Sequence, residues 1–158
     1  MVDTVNWEER ASQRKLKRKE DLHSGYEKLC NYTTSRLKYE IVEGPNKINA
    51  CNRKTKQITI CSRLGIENKL YTLLHECGHA LIRENLGRFE KEYTVQVEAW
   101  GDARKERSAR YKVETLEEEI EAWKRGKRLA NRLGIRINEN RFNIHKTESL
   151  MTYIRWAG

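Results

Sequence analysis

The sequence predicts an α+β chain. Three observations carry that expectation: a long basic stretch without helix breakers, a short β-branched alternation after it, and two strongly periodic helical segments in the second half. At 158 residues the chain has the length of one domain, enough to bury a core without disulfide staples. Residues 1–158 are therefore read as a single domain, with residues 1–38 as its basic helical N-terminal segment.

Residues 7 to 38 are helix-permissive, and their densest run of charge is Arg14-Lys15-Leu16-Lys17-Arg18-Lys19. The chain has one proline, in Gly44-Pro45, and its ring lacks a donor and clashes with a preceding helical turn, so a loop is expected there. Lys47 to Cys51 and Gln57 to Ser62 flank the polar stretch Asn52-Arg53-Lys54-Thr55-Lys56. The second of them alternates as Gln57-Ile58-Thr59-Ile60-Cys61, which reads as one arm of a β-hairpin. From Asn68 to about Asn85 the pattern is helical, with Leu70, Leu73, Leu74, Cys77 and Leu81 apolar and Gly87 placed as a stop. Residues 88 to 113 show no sustained period and read as a loop or flap. A second strong helix is expected from Thr115 to Leu133, carrying Leu116, Ile120, Trp123, Ala130 and Leu133, with Gly134 as its C-terminal stop. The tail from His145 to Trp156 forms one further helix in this reading, with Leu150, Tyr153, Ile154 and Trp156 as its contacts.

Composition narrows the function classes. Apolar residues make up 37% and charged residues 35%, which leaves a lean core adequate for a folded enzyme and argues against global disorder. No window approaches the roughly 18 apolar residues of a membrane span, and the first residues lack a signal-peptide pattern, so the expected location is the cytoplasm without a membrane partner. Cys30, Cys51, Cys61 and Cys77 form no Cys-x-x-Cys pair and read as reduced thiols. Lys and Arg outnumber Asp and Glu by 32 to 23, a net charge of +9 that would favour nucleic acid as a partner or simply solvate the surface.

The chemistry concentrates in His75-Glu76-Cys77-Gly78-His79. Two histidines four residues apart differ by about 40° around a helix and sit one turn apart, so both imidazoles can reach one ion. The stripe of Leu70, Leu74, Cys77 and Leu81 lies roughly opposite, so the histidines are expected to look away from the main packing face toward a cleft. Gly78 costs about 1 kcal/mol of helix propensity and reads as a position where a side chain would crowd the metal or a neighbouring strand. Glu76 follows the first ligand and is placed to act as the general base toward a water activated by zinc. One Zn2+ per chain is the expected cofactor.

A catalytic zinc takes three protein ligands, and no third histidine follows soon after His79. The helix from Thr115 offers Glu117, Glu118, Glu119 and Glu121. Glu119 lies within about 40° of Trp123, Gly126 and Ala130 and so points with the packing residues, whereas Glu121 points with Arg125 and Arg128 toward the polar side. Glu119 is the preferred ligand, and Glu118, Glu121 and Glu98 stay open as alternatives. Glu98 enters through Glu98-Ala99-Trp100-Gly101-Asp102, which places an aspartate four residues after a glutamate.

The segments Leu73-Leu74-His75-Glu76-Cys77-Gly78-His79-Ala80-Leu81 and Glu119-Ile120-Glu121-Ala122-Trp123 resemble the gluzincin group of zincin metallopeptidases, in particular short phage or prophage proteins similar to the ImmA/IrrE family. The resemblance covers roughly residues 47 to 133. It implies a zincin-like fold in which a small sheet lies over the active helix and its edge strand aligns an extended substrate. It also implies a glutamate ligand before a small residue on a later helix, although Trp123 stands where the family often has asparagine. The function expected is zinc-dependent hydrolysis of peptide bonds in a cytosolic protein or peptide substrate, in the host cytoplasm if the chain is phage-encoded. The alternative is a nucleic-acid-associated zinc protein, either similar to SprT-type peptidases that act on DNA-bound proteins or a zincin serving as a non-catalytic binding module. Tyr93, Tyr111, His145 and Tyr153 are the chemically suitable donors to an oxyanion.

Overall fold

Ile58 and Ile60 alternate with Gln57, Thr59 and Cys61, and the period of two sends both isoleucines to one face, where they are fully buried. The computed structural model describes residues 4–158, with side chains from Asn6 onward, and this segment is its central strand, β3 (Gln57–Cys61). It pairs antiparallel with β2 (Ala50–Asn52), with Cys51 opposite Ile58, so the expected hairpin is present but shorter on both arms. The Asn52 side chain closes the turn by accepting from the backbone N–H groups of Lys54 at 3.0 Å and Thr55 at 3.2 Å. A strand absent from the sequence reading, β1 (Glu40–Gly44), pairs parallel with the other edge of β3 and places Ile41 opposite Ile58. The sheet order is β1-β3-β2, which among the described residues leaves one edge of β2 without a strand partner.

Helix α1 (Thr4–Ser35) is longer than expected at its start and ends three residues before the expected Lys38. Only its second half packs, through Gly25, Leu29 and Thr33, while the basic run from Arg14 to Lys19 stays exposed. Helix α2 (Ile66–Arg83) is the centre of the molecule: every residue from Leu70 to Ala80 is buried. A helix buried all round has no exposed face to offer, so the expectation that His75 and His79 look away from the packing surface is corrected. They lie against α5 (Ala109–Arg132), the helix with which α2 shares its largest interface.

Two glycines make that crossing close. A Cβ on Gly78 would stand less than 3.0 Å from backbone atoms of Ala122, and one on Gly126 less than 3.0 Å from the Leu74 carbonyl group. Gly78 is thus required by the carbonyl of Ala122 on the facing helix, not by a metal or a strand as expected. Because Gly78 and Gly126 each admit the other helix's backbone, the face Glu119, Ala122, Trp123, Gly126 and Ala130 of α5 is pressed directly onto the histidine face of α2.

The span read as a loop or flap contains α3 (Leu86–Glu92), α4 (Thr94–Ala99) and a single 3-10 turn at Lys105–Arg107. Gly87 is not a stop: α2 ends at Arg83, and Gly87 sits in the first turn of α3, whose N-cap is Asn85. Gly134 does end α5, in the left-handed region at φ +65°. Helix α6 (Glu139–Ala157) starts six residues before the expected His145, because Asn138 caps it by accepting from Arg141 N–H at 3.0 Å. Its buried Phe142 meets the rings of Tyr71 and Trp123 edge-on, with centroids at 5.3 and 5.4 Å, and this contact lays α6 across the mouth of the α2–α5 crossing. No helix among the described residues is long and apolar enough to cross a membrane.

Candidate metal centre

One turn of α2 separates His75 from His79, and the close α2–α5 crossing delivers Glu119 to both. The two Nε2 atoms stand 3.3 Å apart, and Glu119 places one carboxylate oxygen 3.0 Å from His75 Nε2 and the other 3.3 Å from His79 Nε2. All three side chains are at least nine-tenths buried. His79 Nδ1 lies 3.0 Å from the Glu118 carboxylate, so it carries the proton and its Nε2 presents a lone pair to His75 and Glu119.

With the His75 proton on Nδ1, three acceptors would face one another in a buried site, an arrangement that a cation among them would relieve. In the absence of a metal a proton has to serve. Burial pushes His79 down, but the hydrogen bonds to Glu118 and Glu119 outweigh it and raise the imidazole to about 10. Burial likewise pushes Glu119 up, and the two histidines overcome it and hold the carboxyl far below the usual range. The spacing also suits a metal. Ligand bonds of about 2.0–2.1 Å in tetrahedral geometry separate two nitrogens by roughly 3.3–3.4 Å, and the two Nε2 atoms are already at that separation. His75 Nδ1 is buried without a hydrogen-bond partner, and Glu119 Oε2, equally buried, has no contact besides His75 Nε2 to satisfy it. The His75, His79 and Glu119 group can therefore hold a metal ion.

Glu118, an alternative ligand in the sequence, has a different place. It bridges His79 Nδ1 and Arg83, whose Nε and Nη2 donate to it at 2.8 and 2.7 Å. Although burial pushes its carboxyl up, His79 and Arg83, with a contact from Gln96, hold it below the ordinary carboxylate range. It fixes the tautomer and the ring orientation of His79. Glu121 is taken by Arg125 and Arg128 at 2.9 and 2.7 Å on the polar side of α5, and Glu98 is exposed on α4, so neither joins the cluster.

Comparison with family models, with curated proteins and with solved structures found no match to this chain.

His75 and Glu76 open on a cleft of about 530 Å³, walled by Ile48 and Asn49 before β2 and by His145 and Tyr153 of α6. Trp123 stacks on the His75 ring at 4.4 Å and 20°, which fixes the first histidine as Glu118 fixes the second. Burial raises the Glu76 carboxyl above the usual range, against the pull of the neighbouring histidines, and leaves it better suited to take up a proton. Of the four oxyanion candidates, two line this cleft. The Tyr153 hydroxyl is kept protonated by burial and by the facing Glu119, and His145 is held neutral by burial, with Nε2 3.2 Å from Thr72 Oγ1. Tyr93 instead stacks on Phe89 at 4.9 Å in a second small core, and Tyr111 meets Trp156 edge-on at 6.4 Å. Sequence reasoning missed the support given by Glu118, Arg83 and Trp123, since their roles depend on the rotation of α5 against α2.

Proposed function

We propose that the chain is a zinc-dependent peptidase of zincin-like fold. The observation that carries this reading is the convergence of His75, His79 and Glu119 on one point, with Glu76 beside it on the cleft side. Zinc held there would supply a Lewis acid that polarises a scissile carbonyl and acidifies the attacking water. The chain's own residues do the rest. Glu76 takes the proton from that water and returns it to the leaving amine, so that the peptide C–N bond is replaced by a carboxylic acid and an amine. Tyr153 or His145 donates to the carbonyl oxygen as negative charge develops on it. The free edge of β2 offers backbone groups to an extended substrate, and Ile48, 83% exposed, stands where such a chain would enter.

The second reading, a nucleic-acid-associated protein, has its own observation. From Arg10 to Lys19 helix α1 carries six cations and no acid, all exposed, and among the described residues only Arg18 of these is in an ion pair, with Glu67 at 2.7 Å. The peptidase reading is favoured because an exposed basic helix needs no partner, whereas His75, His79 and Glu119 converge as a buried group that could hold a metal ion.

The zinc-loaded protein, added to a cell lysate, is expected to generate new protein N-termini that a metal chelator suppresses and added zinc restores. Identical N-terminal profiles with and without chelator would refute hydrolysis at this site.

A further inference from the structure

Past the metal centre, at the far end of β2, lies a second cavity of about 380 Å³. Cys51, Arg53 and Lys54 of β2 and its turn line it together with Arg83 of α2, Phe89 of α3 and Trp100. The cavity adjoins the candidate catalytic apparatus directly. Arg83 is four residues after His79, one helical turn or roughly 5 to 6 Å further along α2, and it holds the same Glu118 carboxylate that orients His79. Cys51 is an electrostatic neighbour of both Glu76 and Arg83. Ile48 and Asn49 line the cleft beside His75 and Glu76, and Ala50 to Lys54 line this cavity, so a chain laid along β2 would pass both.

Its chemistry is one-sided. Three cations line the cavity and no carboxylate does. Arg83 spends Nε and Nη2 on Glu118, while among the described residues neither Arg53 nor Lys54 is in an ion pair. The aromatic wall is layered: Arg83 stands over the buried Phe89 ring at 5.7 Å, and Trp100, 55% exposed, stacks beside Phe89 with centroids at 6.2 Å. Such a lining suits a carboxylate carried on methylene groups, with the charge toward the cations and the stem against the rings.

We propose that this cavity is a carboxylate-binding subsite for the substrate. Because successive residues of one segment line first the cleft and then this cavity, the carboxylate would sit a short way along the substrate from the bond to be cleaved. An acidic side chain and the terminal carboxylate of a peptide share this chemistry. Placing the subsite beside a scissile bond rests on the peptidase reading; the carboxylate site itself does not.

The test is binding to the full-length Glu76→Gln protein, read by the NMR signal of the Trp100 indole N–H and assigned through a Trp100→Phe variant. The probes are N-acetyl tetraglutamate amide for the side-chain carboxylate, N-acetyl tetra-alanine with a free C-terminus for the terminal one, and N-acetyl tetraglutamine amide as the uncharged control. At least one carboxylate probe should shift the Trp100 signal saturably, the control should not, and Arg53→Glu with Lys54→Glu should weaken binding by about tenfold or more. Which carboxylate probe binds identifies the source. Absence of a shift with both, an equal shift with tetraglutamine, or binding unchanged by the double charge reversal would overturn the proposal. The wild-type protein is then given a peptide mixture and its cleavage sites are mapped. Trp100 binding without any cleavage would remove the peptidase reading and keep the subsite, while cleavage without a Trp100 shift would remove the subsite and keep the peptidase.

Discussion

Glu76→Gln should leave the fold and the bound metal unchanged while lowering peptide hydrolysis by roughly 10² to 10⁴-fold, the contribution usual for a positioned acid–base group. Glutamine keeps the shape of the side chain and its place on α2, about 100° from His75 around the helix, so the three converging ligands are not disturbed. What is lost is the carboxylate. Glu76 lines the cleft beside His75, where burial raises its proton affinity, and an amide there cannot take up a proton. Steady-state cleavage of a fluorogenic peptide, with zinc content measured on the same samples, checks the prediction. A variant that loses zinc along with activity would make Glu76 a structural residue, and one that keeps full activity would move the base elsewhere.

Gly78→Ala is expected to be among the most destabilising single-methyl changes in the chain. Alanine would gain about 1 kcal/mol in helix propensity at this position. The new Cβ, however, would fall inside contact distance of the Ala122 carbonyl on α5, a backbone atom that no side-chain rotation relieves. The helices have to separate, and Glu119, one turn before Ala122, moves with α5. Overpacking against backbone should cost about 3 kcal/mol or more in net stability, a fall of roughly 6 to 12 °C in Tm for a chain of this size. Thermal unfolding followed by circular dichroism measures it. A Tm within about 2 °C of wild type would show that the crossing is looser than the geometry requires.

The parts of the site that the sequence reveals are those set by a single helix. His75, Glu76 and His79 follow from a spacing of four on α2, and Glu119 from its phase on α5 with Trp123, Gly126 and Ala130. What depends on two elements meeting was not legible. The stripe of leucines on α2 suggests one buried face, whereas α5, held close by Gly78 and Gly126, buries the histidine face as well. Glu118 reads in the sequence only as an alternative ligand, and its hold on His79 emerges when Arg83 and His79 are brought to it. Strand β1 has two apolar residues between glutamates and no alternation to betray it; it exists through pairing with β3. Helices α3 and α4, of seven and six residues, are too short to show a period in sequence. The cleft wall on α6 depends on Phe142 docking against Tyr71 and Trp123, which no local pattern announces.

Everything proposed about catalysis depends on the three converging ligands holding zinc. The direct measurement is elemental analysis of the purified protein, beside His75→Ala, His79→Ala, Glu119→Ala and Glu121→Ala, after equilibration with a zinc-buffering chelator. About one zinc per chain is expected in the wild type and in Glu121→Ala, with zinc lost from both histidine variants and strongly weakened in Glu119→Ala. Zinc retained equally in all four variants, or absent from the folded wild type, would contradict the account.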